Sequence, residues 1–185
     1  MRIISGKYKG SYFTPPKNTF KARPTTDYAK ESLFNILNNS FDFAGLHVLD
    51  LFAGTGSISY EFASRGCEKI ISVENDFSHF NYIKKTVEKL GINIKTVKAD
   101  VFSYLPKLTE TFDIIFADPP FNLQNTEQLP DLIFKYHLLN ENGWFILEHD
   151  KHRDFLKHTN FFDFRKYGNV YFSFFRLEKN LKPHV

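Results

Sequence analysis

Asp118-Pro119-Pro120-Phe121 holds residue types that could do chemistry on a planar amine. Each proline removes a backbone N–H and fixes φ, so the pair forms a rigid, extended turn that holds its carbonyls outward. Asp118 adds an ionised acceptor, and Phe121 adds an aromatic face on which a flat, unstacked base could lie. The glycine-rich Asp50-Leu51-Phe52-Ala53-Gly54-Thr55-Gly56 begins 68 residues earlier. Together the two segments suggest alkylation of an exocyclic amine.

Gly54-Thr55-Gly56 follows a strand-like run and opens a helical one, which lets backbone approach a nucleotide-like ligand without a Cβ clash. It is no P-loop, because the Gly-Lys-Ser/Thr ending is absent, and Ser59 replaces the third glycine of a dinucleotide fingerprint. Glu74 ends the next strand, where it can accept from both hydroxyls of a ribose. Asp100 ends the third and could accept from an adenine amine, with Val101 beside the ring. Three successive strands ending in Asp50, Glu74 and Asp100 would share one rim of a doubly wound sheet, the rim where ligands bind. A fourth strand would bring Asp118 to the same rim.

The elements that must position these residues are legible as alternation. Strand-like runs at 46–52, 69–74, 92–98, 112–117 and 143–148 alternate with helical stretches at 57–65, 77–90, 101–106 and 126–138, the pattern of a parallel sheet with covering helices. Aromatic-rich runs at 161–167 and 169–177 flank Gly168 and predict an antiparallel hairpin that closes the sheet. Their aromatics read as packed sheet face in preference to a base-stacking platform. The first 40 residues predict a short hairpin at 2–14, a break at Pro15-Pro16 and a helix from Thr26 to Asn38, with Thr26 as its cap. The expected division is 1–41 as a basic lid extension and 42–185 as the main domain; the resemblance described below implies RNA binding for the extension.

The 185 residues, 42 % of them hydrophobic, suffice for one sizeable core and a small appendage. No apolar run approaches membrane-spanning length and no signal-peptide core is present, so a soluble cytoplasmic protein is expected. One cysteine, Cys67, and seven histidines without ligand spacing exclude a thiolate cage or zinc chemistry; no metal site is predicted. Net charge is +3, but residues 1–30 carry seven cations against Asp27 alone, +6, leaving −3 for the remainder. A basic arm of that kind suits phosphate contact, although a solvated basic terminus accounts for the charge equally well.

In these segments the chain resembles the class I S-adenosylmethionine-dependent methyltransferases, and more narrowly the bacterial 16S rRNA guanine-N2 methyltransferases of the RsmD type. The resemblance rests on Arg2-Ile3-Ile4-Ser5-Gly6 with Lys9-Gly10, on Arg23-Pro24-Thr25-Thr26-Asp27 running into Glu31-Ser32-Leu33-Phe34-Asn35-Ile36-Leu37, and on the glycine loop, Ser64-Arg65-Gly66 and the Asp-Pro-Pro-Phe turn. Tyr28 departs from it, standing where the family tends to have a basic residue. The resemblance implies a Rossmann-like, mostly parallel sheet with a C-terminal antiparallel hairpin and an N-terminal hairpin and helix extension. It implies S-adenosylmethionine held by Asp50, Phe52, Ala53, Gly54, Gly56, Glu74, Asn75, Asp100, Val101 and Asp118. Asp118, Pro119, Pro120 and Phe121 would be catalytic; Arg2, Lys7, Lys9, Arg23, Thr25 and Lys30 would contact RNA. The implied partner is 16S rRNA within an assembled or assembling small ribosomal subunit, bound by a monomer.

The turn alone also suits a DNA adenine-N6 or a protein glutamine methyltransferase. A non-catalytic RNA-binding module on the same scaffold is the reading from a different class.

Overall fold

The computed structural model describes residues 1–14 and 26–178. Its elements in chain order are α1 (Asp27–Asn38), β1 (His47–Leu51), α2 (Ser57–Ser64), β2 (Lys69–Glu74), α3 (Phe77–Leu90), β3 (Lys95–Lys98), α4 (Val101–Tyr104), β4 (Phe112–Ala117), α5 (Leu129–Lys135), β5 (Leu139–His149), β6 (Phe161–Tyr167) and β7 (Val170–Arg176). The seven strands form one sheet in the order β3-β2-β1-β4-β5-β7-β6. β1 to β5 pair in parallel, and β7 then runs antiparallel to both β5 and β6. This is the Rossmann-like class I methyltransferase sheet that the sequence resemblance implied.

Consecutive apolar residues in the central strands divide between two cores, because successive side chains on a strand point to opposite faces. Val48, Ile70, Ile114, Ile146 and Phe174 face α1, α2 and α3. Their neighbours Leu49, Ile71, Ile115, Phe145 and Phe175 face α4 and α5. With both faces covered, the ends of the parallel strands and the loops above them are what remains open to a ligand.

Three expected boundaries shift, each for a local reason. β3 starts at Lys95 because Gly91 takes a left-handed φ and the Ile92 N–H returns to the Val87 carbonyl, which spends Ile92 on the end of α3. The helix expected over 126–138 is a 3-10 turn at Thr126–Gln128 followed by α5, whose end comes where the Leu138 N–H donates to Ile133 and His137 adopts φ 50°. β5 begins at Leu139, four residues before the expected start, since Leu139 pairs with Phe112 across an irregularity in register.

Residues 1–14 form a hairpin-like segment with a single bridge, Arg2 to Tyr12, and it is built onto α2. The Ile4 and Ser5 N–H groups donate to the Glu61 carboxylate, Ser64 Oγ donates to the Ser5 carbonyl, and the Lys7 N–H donates to the Ser64 carbonyl. Gly6 is required there: at φ 81° a Cβ would lie 1.8 Å from the Ser64 carbonyl oxygen. Ile3 shares its core cluster with Leu33, Phe34 and Phe62. The proposed boundary between 1–41 and 42–185 therefore crosses one continuous core. No helix among the described residues is long and apolar enough to cross a membrane.

Candidate functional site

The site begins with a strained loop. Phe52, just past β1, takes φ 59°, which is uncommon for a bulky side chain, and Gly54 and Gly56 follow at 54° and 78°. The Ala53 N–H holds the turn to the Val73 carbonyl at 3.0 Å, and the Gly56 N–H closes it on the Ala53 carbonyl at 2.7 Å. A Cβ at Gly56 would strike the Tyr60 ring at 2.7 Å. At Gly54 a Cβ would find nothing nearer than 3.9 Å, so that face of the loop lies open.

Two acids fix the loop and the helix that it opens. Glu74, 8 % exposed, accepts from the Gly54 N–H at 2.7 Å through Oε2 and from the Asp76 N–H at 2.7 Å through Oε1. Each carboxylate oxygen keeps a second lone pair for a further donor. Asp50 differs from the expected rim acid: it is buried, and its Oδ2 accepts from Ser59 Oγ at 2.5 Å and the Ser59 N–H at 3.1 Å. Burial raises its pKa to about 7, against the pull of the Ser59 bonds, and the nearby Glu74 charge adds to the rise.

Asp100 is exposed at the start of α4 and accepts from the Ser103 N–H at 2.9 Å, while Val101 behind it is buried in the core. Asn75, exposed, follows Glu74 on the same rim.

The Asp118 turn meets this loop through the sheet. Leu51 and Ala117 are register partners, and the Asp118 N–H donates to the Leu51 carbonyl at 3.4 Å, so the two segments leave adjacent strands side by side. Pro119 is buried, Pro120 is exposed, and Phe121 presents a ring that is 56 % exposed. Arg153 braces the turn from 32 residues away. Its Nη2 donates to the carbonyls of Phe121 at 2.9 Å and Leu123 at 3.0 Å, while Nη1 pairs with Glu127. Sequence reasoning missed Arg153, for which no spacing signal exists.

Beyond Phe121 opens a cavity of about 720 Å³. Tyr28, Tyr167 and Tyr171 line it with Phe121, and Lys151 and Asn169 lie on its wall. These too were missed, because they come from α1, the end of β5 and the hairpin tip. His149, the last residue of β5, is buried and engaged with the Asp150 carbonyl and Ser173 Oγ, and burial lowers its pKa.

Of the cations expected to contact RNA, Arg2, Lys7 and Lys9 are exposed. Lys30 corrects the expectation. It is 1 % exposed, and its ammonium donates to the Arg2 carbonyl at 2.6 Å and Ser57 Oγ at 3.0 Å. The helical spacing that buries Ala29, Leu33 and Leu37 turns Lys30 inward too. Arg23 and Thr25 lie outside the described residues.

Residues 1–176 match the family model described as Conserved hypothetical protein 95. The chain belongs to that family. A Bacillus subtilis relative, YlbH, is 38 % identical over 82 % of this chain and 83 % of its own. The Ribosomal RNA small subunit methyltransferase D of Buchnera aphidicola is 36 % identical over 81 % of this chain and 76 % of its own. Among solved structures, a hypothetical protein of Thermus thermophilus superposes with a TM-score of 0.84 at 26 % identity, covering 96 % of this chain and 99 % of its own.

Proposed function

We propose that this protein transfers a methyl group from S-adenosylmethionine to the N2 amine of a guanine in 16S rRNA of the small ribosomal subunit. The observation that carries the reading is the Asp118-Pro119-Pro120-Phe121 turn lying against the open glycine loop, in a family whose relatives include enzymes named for small-subunit rRNA methylation.

The rim residues fit the cofactor. The open face at Gly54 admits a ligand against backbone, Glu74 offers carboxylate lone pairs to ribose hydroxyls, and Asp100 and Asn75 offer polar groups to an adenine. When bound, S-adenosylmethionine supplies an electrophilic methyl group. The chain's own task is the amine. A guanine amine is a poor nucleophile because its lone pair is delocalised into the ring. The Asp118 carboxylate and the Pro119 carbonyl accept its two N–H bonds and draw them out of plane, which localises the lone pair. Phe121 stacks on the extruded base and fixes its plane. Positioning of this kind contributes up to roughly 7 to 11 kcal/mol in well-oriented systems, without a dedicated general base. The exposed Arg2, Lys7 and Lys9 hold the RNA by its phosphates, together with Arg23 and Thr25.

The test is transfer of labelled methyl from S-adenosylmethionine to unmodified small subunits and, separately, to their naked RNA, followed by nucleoside digestion. Label in N2-methylguanosine that disappears in Asp118→Ala, with the fold intact, is the expected result. Label in another nucleoside or in protein, or full activity of Asp118→Ala, overturns the assignment.

A further inference from the structure

The cavity of about 720 Å³ beyond Phe121 is not needed to grip an amine. Of the turn, Phe121 lines it and Asp118 and Pro119 do not, while Glu148 on its wall follows Leu147, the register partner of Ala117, so the cavity extends from beside the turn toward the hairpin tip. We propose that it is a second-nucleotide subsite, holding the base next to the methylated guanine in single-stranded RNA. This rests on the rRNA methyltransferase reading and adds a specificity element to it.

Three observations favour a nucleotide as the occupant. First, four aromatic side chains ring the cavity, and two of them, Tyr28 at 69 % exposed and Phe121 at 56 %, leave faces uncovered. Every base has a π-face, so such walls accept an unstacked base whatever its identity. Tyr28 and Tyr167 meet edge to face at 5.9 Å, which ties the start of α1 to the hairpin tip as one wall. Second, the polar groups suit a nucleotide: Asn169 offers both amide donor and acceptor, Asp150 offers an acceptor, and Lys151 offers a cation for the phosphate. Third, the cavity joins the proposed phosphate path. Arg2 pairs with Asp27 at 3.6 Å, beside Thr26 and Tyr28 on the cavity wall, so the basic strand leads to its edge.

The cavity also explains Tyr28, where the resembled family tends to have a basic residue. An aromatic ring there exchanges a phosphate contact for a stacking surface.

The experiment is calorimetric titration of the full chain, saturated with S-adenosylhomocysteine, with GMP and with the dinucleotides GpU, UpG, GpA and ApG. In one of the two orders the dinucleotides should bind about tenfold more tightly than GMP, with little dependence on the second base. Tyr28→Ala and Tyr167→Ala should erase that gain, and Tyr28→Phe should retain it. S-adenosylhomocysteine affinity, read in the same titrations, reports whether the variants are folded. No gain in either order, or a gain that survives both alanine variants, overturns the subsite. GMP binding and N2-methylguanosine formation by the unaltered protein test the amine site separately, so failure of the subsite leaves that reading standing.

Discussion

Phe121 is an aromatic residue that folding leaves more than half exposed, held there by two prolines and by Arg153 on its carbonyl. Burial does not account for its position, and the proposed stacking on a base gives the exposed ring a role. Phe121→Ala should lower kcat/KM for RNA by about 5- to 150-fold, from the ~1–3 kcal/mol of one stacked base, while S-adenosylmethionine affinity measured by titration stays within about twofold.

Asp50 gives a different prediction, because its role is to hold Ser59 in the helix that the loop opens. Its pKa is about 7 folded against an ordinary 3.8, so between those values the folded state keeps a proton that the unfolded chain has released. Stability contributed by this group therefore falls as pH rises from about 4 to about 7, by at most about 1.4 kcal/mol per unit, and levels off above. Urea unfolding of Asp50→Asn across that range should show the decline removed; an unchanged slope would contradict the assignment.

At the scale of elements, the N-terminal segment and α2 form one unit. Glu61, Ser64 and Lys30 receive or hold successive backbone groups of residues 2–7, and Thr55 Oγ1 donates to Met1 Sδ at 3.1 Å, so the basic segment is held along α2 from the glycine loop to Ser64. Lys30→Met removes the donor that serves the Arg2 carbonyl and the Ser57 hydroxyl. It should cost about 1–3 kcal/mol in chemical denaturation. The salt dependence of RNA binding should stay as steep as before, since this charge does not reach a phosphate. A surface contact would give the opposite pair of results. Lys30 was legible as a cation but not as a buried one, because the register of α1 against Ser57 is set by packing. The Thr26 cap was legible in full: its hydroxyl accepts from the Ala29 N–H at 3.2 Å.

For the whole molecule, charge is segregated by chain position: a basic N-terminal segment is attached to a domain of slightly negative balance. Replacing Arg2, Lys7 and Lys9 together with Ala should reduce the slope of log K against log salt for single-stranded RNA by about 2, at roughly 0.7 per phosphate contact. A slope left unaltered would make the segment a structural strap alone.

The sequence by itself determined the alternation of strands and helices, the glycine loop, the Asp-Pro-Pro-Phe turn and the hairpin about Gly168. Each of these depends on local properties: period, proline geometry, and the φ that glycine permits. Only the tertiary structure decided that Asp50 is buried against Ser59, that Lys30 faces the core, that Arg153 supports Phe121, and that Tyr28 meets Tyr167. Those contacts join residues from separate elements, and their partners are set by strand register and helix packing, which no local pattern encodes.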